Sequence, residues 1–466
     1  MSTRAHDRPV DSPRLPEAVD SWAAATGIAT RLGSARLVTE AGRVVLVWVP
    51  TFMLTADHYG SGGSAIVVGS LIAGVWLLAL RGAAEAVHFT LGPAVRSAVG
   101  AATGLVTVSA LMVWLPGLSL PSVTLAAMAI SIFALSAAWE AVSRRVASKR
   151  RVLVVGAGSC VSAVLKGVRE ERNTPFAVVG VVDDSELDRA PGPPVLGPVA
   201  SLAAIVEAQR PELIVLADGE GSAQALDRLL AVPSRPFKVV GLAHFFEHAF
   251  GRVPLEQLTP TWFMSILHLR QKPYTRFAKR SFDVLVASLG LLLAAPGMLM
   301  IALLLFATGG PVIYRQTRIG EGGKLFTMYK FRTMRVDAEE AGRPIFAAEH
   351  DTRVTKLGRA LRTTHLDELP QLWDVLKGDM SIVGPRPERP EFAPMLEEAV
   401  PYFNRRLLIK PGVTGWAQLR CDYSSDAEAA ATKLSYDLWY LRHRNLLVDA
   451  AICAKTFTTV ILRPGR

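Results

Sequence analysis

Hydrophobic runs and polar interruptions divide the chain before any motif is considered. After a polar lead, four apolar stretches follow one another: roughly Val44–Ala56, Ser64–Leu80, Ala98–Leu115 and Leu120–Ala138. A membrane-spanning helix needs about 20 mostly apolar residues. The pattern therefore predicts a four-helix transmembrane unit over 43–140, its first helix short unless Arg43 snorkels. Residues 1–42 are polar, carry Pro9, Pro13 and Pro16, and lack the apolar core and small-residue cleavage site of a signal peptide. They read as a cytoplasmic tail. The competing reading of the four stretches is a set of core helices in a soluble domain.

The periodicity then switches. An apolar strand, Arg151–Val155, runs into Gly156-Ala157-Gly158, and a helix-like stretch follows through Leu165. Further strands, Phe176–Val182 and Glu212–Ala217, end at Asp183-Asp184 and Asp218. Strands alternating with helices predict a Rossmann-like parallel α/β domain over 151–245. The glycine turn is similar to a dinucleotide-binding turn, but Val161 stands where the third glycine belongs, and no tyrosine has a lysine four residues later. Asp183 either binds a ribose or simply ends its strand. A regulatory or structural domain is the favoured reading.

From 268 to 466 the character changes again. Lys272, Arg276, Lys279 and Arg280 precede an apolar run, Val284–Phe306, and Arg315, Arg318, Lys324, Lys330, Arg332 and Arg335 follow it. Pro296-Gly297 sits mid-run, where proline removes a backbone hydrogen bond and bends a helix. Basic flanks on both sides conflict with a straight crossing. The expectation is a re-entrant membrane helix over 281–306 that turns at Pro296 and keeps the α/β domain and the C-terminal α/β domain on one side. Thr432–Leu462 returns to helical spacing.

Composition agrees with a membrane protein of about three domains: of 466 residues half are hydrophobic, and mean hydropathy is +0.29. The net charge is +10 and the pI about 9.7, a balance that suits nucleic acid, anionic lipid or phosphorylated substrates. Basic residues flank the chain before the first apolar stretch, between the second and third (Arg81, Arg96) and after the fourth (Arg144, Arg145, Lys149, Arg150, Arg151), which assigns both ends of the four-helix unit to the cytoplasm. Cys160, Cys421 and Cys453 are far apart, with no zinc signature and no disulfide framework, as in a reduced compartment.

The candidate chemistry lies in the C-terminal domain. Leu366, Leu369, Leu372, Trp373 and Leu376 recur at helical spacing, with Gly378 as a stop. Asp367 and Glu368 then fall at or just before the first turn, where the helix dipole favours ionised carboxylates. One such carboxylate can attack phosphorus and its neighbour can hold Mg²⁺; alternatively the pair only caps the helix. Gly384-Pro385-Arg386-Pro387 is a rigid turn presenting Arg386 as a diphosphate clamp. Tyr329–Met334 reads as a strand with Lys330 and Arg332 on one face and Phe331 on the other, either neutralising phosphate charge or forming a solvated face.

These blocks resemble the bacterial sugar transferases, the polyprenyl-phosphate glycosyl-1-phosphate transferases, in their long polytopic branch that initiates exopolysaccharide or O-antigen units. The resemblance covers about 275–464 through KRSFD (279–283), the mid-segment Pro296, RxGxxGxxF (318–326), YKFRTM (329–334), DELPQL (367–372), GDMSIVGPRPE (378–388) and KPGVTGWAQ (410–418). It implies a multi-pass enzyme of the bacterial inner membrane with its catalytic domain on the cytoplasmic side. Asp367 would attack the β-phosphate of a UDP-sugar, release UMP and carry a phosphosugar, which undecaprenyl phosphate then takes. Glu368, with Asp367, would hold Mg²⁺; Arg386, Lys330, Arg332 and Arg318 would bind substrate phosphate; Lys279 and Arg280 would sit at lipid headgroups. Implied partners are the UDP-sugar, the lipid acceptor and the bilayer, with homodimerisation open and nucleic acid not expected. Two departures stand out: Ala295-Pro296 replaces the family's frequent Ser-Pro, and Leu419–Tyr423 replaces an Asn-Gly-Arg type element, so Arg420 is not equated with the family arginine. The rival functions are a membrane-anchored NAD-dependent sugar-nucleotide dehydratase or oxidoreductase acting through 151–245, and a non-enzymatic regulator of polysaccharide export.

Overall fold

The computed structural model describes residues 28–60, 62–115, 118–146, 149–156, 159–171, 174–184, 193–217, 222–232, 237–258, 262–263, 273–335, 351–421 and 427–462. The N-terminal unit holds helices α1 (Ile28–Tyr59), α2 (Gly63–Ala86), α3 (Pro93–Trp114) and α4 (Ser122–Val146). The last three are long and apolar enough to cross a membrane. They pack around Trp76, Ile72, Met128 and Ile132, all fully buried, while Val67, Leu78, Val106, Val113 and Val123 face outward uncovered. Among the described residues helix α1 already takes in Ile28–Gly42, a stretch without proline that continues into the first apolar run; the rest of the expected tail, residues 1–27, lies outside the described residues.

The α/β domain has five strands, β1 (Arg150–Val155), β2 (Phe176–Val182), β3 (Val195–Gly197), β4 (Leu213–Leu216) and β5 (Lys238–Gly241), interleaved with α5 (Ser159–Glu170), α6 (Leu202–Gln209) and α7 (Ser222–Leu230). The sheet order is β3-β2-β1-β4-β5, and every pairing is parallel. The short strands β3 and β5 are additions to the sequence reading. Helix α8 (Leu242–Phe250) buries Leu242, Phe245 and Phe250 with Val152, Val154 and Val215, so it packs into the core of the sheet. Gly156 has φ +136°, and a Cβ there would meet Ala217 Cβ at 2.5 Å. This glycine is needed for the close approach of two strand ends whatever else binds there. Asp184 accepts a hydrogen bond from Val199 N–H at 2.7 Å, a structural use of the carboxylate after β2.

Helix α9 (Pro273–Ala307) follows, then the antiparallel pair β6 (Ile313–Ile319) and β7 (Leu325–Phe331), α10 (Lys356–Thr363), α11 (Gln371–Lys377), β8 (Ser381–Val383), α12 (Ala393–Ala399), β9 (Gly412–Thr414), α13 (Trp416–Arg420), α14 (Ala427–His443) and α15 (Leu446–Leu462). Helix α9 is apolar and long enough to cross a membrane, and Leu285, Leu292, Leu293, Leu299, Leu303 and Phe306 are uncovered. Pro296 lies inside it without ending it. Proline loses one hydrogen bond, but its fixed φ is itself helical, so the helix resumes. The core of the C-terminal domain joins Trp416, Leu434, Leu438 and Tyr440 to Val87, Leu91, Val95 and Val99, which border the α2–α3 connection. That connection is thus packed on the C-terminal domain. The long helical segment expected over 432–462 is two helices, with Asn445 Oδ1 accepting from Val448 N–H at 2.9 Å to start the second.

Candidate active site

Asp367 and Glu368 occupy a 3-10 turn, Leu366–Glu368, directly before α11, as the helical spacing predicts. His365, just before it, has φ +55°, an uncommon conformation for a residue with a side chain, and turns the chain out of α10 into the acidic pair. Lys330 Nζ donates to Glu368 Oε1 at 2.6 Å, and Arg386 Nη2 donates to the same oxygen at 3.3 Å. Burial pushes the Glu368 carboxyl up, but the Lys330 and Arg386 charges outweigh it and hold the group at about 2. Burial, with Glu368 close by, leaves Asp367 above the usual aspartate range despite Lys330 and Arg362. Asp367 is buried, yet its carboxylate has no hydrogen-bond or ion-pair partner among the described residues. The two acids therefore differ: one is held ionised by cations, the other is kept basic and uncommitted. Desolvation lowers the Lys330 ammonium, and Glu368 opposes that shift.

The strand alternation separates Lys330 from Phe331 as expected, Phe331 packing with Ile301 and Leu305 of α9. Arg332 does not join the acidic pair. It lies beyond the end of β7 and donates to Thr308 Oγ1 at 2.7 Å and Leu305 O at 3.4 Å, at the C-terminal end of α9. Arg318 donates to Pro387 O at 2.8 Å and to Gln316, so it braces the turn bearing Arg386 instead of presenting its own guanidinium; burial, with Arg386 nearby, lowers it to about 10.

Lys279 and Arg280, expected at the headgroups, both bond to protein groups. Lys279 Nζ is 2.7 Å from Asp449 Oδ2 and 3.1 Å from Asp283 Oδ1, buried carboxylates that require a counter-charge. Arg280 donates to Val375 O and Leu376 O, both at 2.7 Å, and so satisfies the last carbonyls of α11. Gly290 of α9 lies against Leu372 of α11. The element bearing the carboxylates is thereby seated on the membrane helix.

Several positioning residues escaped the sequence reading. Asp374 is fully buried and accepts Tyr329 N–H at 3.0 Å, pinning α11 to β7. Asp283 accepts from Ser381 Oγ and Ile382 N–H. Arg406 donates to Arg386 O at 2.9 Å and to Glu388 Oε1 at 3.0 Å, with Asp437 2.9 Å away, so Arg406 and Asp437 anchor the arginine turn. Of these, the sequence advertises only the Lys279–Asp283 spacing of one helical turn. A pocket beside Arg386 is bordered by Pro385, Phe403, Asn404 and Ile409. Among the described residues no group of three metal-binding side chains occurs.

Residues 274–463 match the family model described as bacterial sugar transferase, and 106–217 match a CoA-binding domain model. The chain is 43% identical over 152 residues to a putative undecaprenyl-phosphate N-acetylgalactosaminyl 1-phosphate transferase of Bacillus subtilis, covering 32% of this chain and 80% of that one. It is 39% identical over 211 residues to the exopolysaccharide production protein ExoY of Rhizobium meliloti, covering 42% and 90% respectively. It is 38% identical over 212 residues to a UDP-N-acetylgalactosamine-undecaprenyl-phosphate N-acetylgalactosaminephosphotransferase of Aeromonas hydrophila, where the match takes in 45% of this chain and about half, 49%, of the relative's length.

Proposed function

Because this chain belongs to the bacterial sugar transferase family, we propose that it transfers a sugar-1-phosphate from a UDP-sugar to undecaprenyl phosphate and so initiates a surface polysaccharide. The names of the relatives support the acceptor and the group transferred. The observation that carries the reading is the pair Asp367–Glu368: an uncommitted carboxylate beside one held ionised by Lys330 and Arg386.

In the first displacement an Asp367 oxygen attacks the β-phosphorus of the donor. The bond from that phosphorus to the bridging oxygen breaks, and its electron pair leaves on UMP. In the second, an oxygen of undecaprenyl phosphate attacks the same phosphorus, the aspartyl bond breaks, and undecaprenyl-diphosphate-sugar departs with Asp367 restored. Burial raises the basicity of Asp367, which favours attack once it is ionised. Arg386 and Lys330 both bond Glu368 Oε1, which supports a role for their charges in meeting the phosphoryl oxygens of the donor.

Mg²⁺ suits these donors. It is commonly held by one or two carboxylates together with substrate phosphates, and Glu368 Oε2 and the Asp367 carboxylate are unpartnered among the described residues. When bound, the ion would neutralise diphosphate charge. The catalytic unit lies on the cytoplasmic face of the inner membrane in this reading, where Arg81, Arg96, Arg144 and Arg145 satisfy the positive-inside rule. Helix α9 enters and leaves by that face, a reading supported by its two ends, Arg280 and Leu305, both bonding to the same unit. The α/β domain is Rossmann-like in its strand order, and the contact between Gly156 and Ala217 supports a structural role for its glycine turn.

The deciding experiment incubates membranes containing the protein with a panel of UDP-sugars, undecaprenyl phosphate and Mg²⁺, reading UMP and the lipid product. Absence of UMP with every donor would remove this function.

A further inference from the structure

The α/β domain grips the catalytic unit at both ends of α13. Trp416, fully buried at its start, donates Nε1–H to the oxygen of Gly251, just after α8, at 2.6 Å. Arg420, at its end, is ion-paired with Glu171, just after α5. The Arg420 guanidinium also lies over the rings of Trp416 and Tyr436, 5.7 Å from each centroid. A polar cavity of about 290 Å³ opens beside this second grip. The first contact is fully buried, and the second borders the cavity.

Helix α13 is joined without slack to the turn that presents Arg386. Gly384 N–H donates to Thr414 O at 2.9 Å, and Gly412 N–H donates to Pro385 O at 2.8 Å. Gly415, immediately before α13, lies so close that a Cβ there would sit 2.2 Å from Gly384 O. Backbone packed on backbone has no side chain to absorb a shift. A displacement of α13 therefore moves Gly384-Pro385-Arg386 relative to Glu368.

We propose that the α/β domain is a brace for Arg386, with Glu171 and Arg420 as positioning residues that set the arginine's reach toward the donor diphosphate. This gives a task to the domain whose glycine turn is explained by packing, and to the arginine that matches no motif. It rests on the phosphosugar-transfer reading only for its kinetic consequence.

The test uses the full-length protein in lipid nanodiscs, with Glu171→Gln, Arg420→Gln and the reversed pair Glu171→Arg with Arg420→Glu. Each single variant is expected to lower kcat/KM for UMP release about tenfold, mainly through the KM for UDP-sugar, since small misplacements of a binding group are costly. The reversed pair is expected to recover most of the loss. Independently, the amides of Gly384 and Gly412 should exchange with deuterium faster in the single variants and regain protection in the reversed pair. Unchanged exchange at both glycines, or a reversed pair no better than the singles, overturns the brace. If a variant loses protection throughout, Glu171→Asp, which keeps the charge but shortens its reach, replaces it in the same measurements. A wild-type protein that releases no UMP sinks the proposed reaction, while the exchange data still decide the brace.

Discussion

Lys330 Nζ and Glu368 Oε1 are 2.6 Å apart, and their side chains are only 16% and 15% exposed. This pair fixes β7 to the acidic turn. Replacing Lys330 with Met strands much of a buried negative charge, with Arg386 alone at 3.3 Å to offset it. The expected cost is roughly 2–3 kcal/mol of stability, read by denaturant unfolding of detergent-solubilised protein, together with loss of most transfer activity. A K330M variant as stable as wild type would mean the pair is not a buried contact.

Asp367→Asn should abolish UMP release while making the protein no less stable at neutral pH. The sign follows from its raised position. A carboxyl whose pKa is higher in the folded state than in the unfolded one binds protons on folding, so its ionised form opposes folding above that range. The neutral amide removes that opposition. A variant that keeps wild-type UMP release, or that melts well below wild type near pH 7, contradicts this account.

The same shift sets the acid side of the pH–rate profile. Single-turnover UMP release should fall with decreasing pH around a midpoint above the ordinary aspartate value of 3.8, since Asp367 must be ionised to attack. Glu368 behaves oppositely. Its folded value of about 2 is depressed from 4.5, so its stabilisation is complete above the unfolded value and is lost only as pH falls from there toward 2. An activity midpoint below 3.8 would argue that Asp367 is not the titrating nucleophile.

Arg280→Met uncaps Val375 O and Leu376 O. A loss of about 1–3 kcal/mol is expected, with the variant still fractionating entirely with membranes. Release into the soluble fraction would instead restore the headgroup role inferred from sequence.

Single cysteines introduced before Lys279 and after Tyr314 should label from one side of sealed vesicles. Labelling from opposite sides would make α9 a straight crossing.

The elements carrying strong periodicity were legible: the apolar helices, β1, β2, β4, the β7 alternation and the acidic turn at the start of α11. What stayed hidden was pairing across long sequence separations. Lys279 and Arg280 were read as headgroup cations and Arg332 as a phosphate ligand because nothing nearby in sequence announces their acceptors, which are a carboxylate and helix-end carbonyls from other elements. Asp374 and Arg406 were missed for the same reason. The strand β3 is too short for any periodicity to register.

The bond from Lys279 to Asp449 joins residues 170 positions apart. A ribosome therefore delivers the hydrophobic helix to the bilayer long before the partner of its basic residue has been synthesised. Until β8 emerges with Ser381, Ile382 and Val383, Lys279 and Asp283 have only each other, one turn apart on the same helix, and the Asp449 partner comes later still. Final seating of this helix is thus a late step of biogenesis, and a chain truncated before Asp449 would leave it inserted but unlocked, a natural substrate for membrane quality-control proteases.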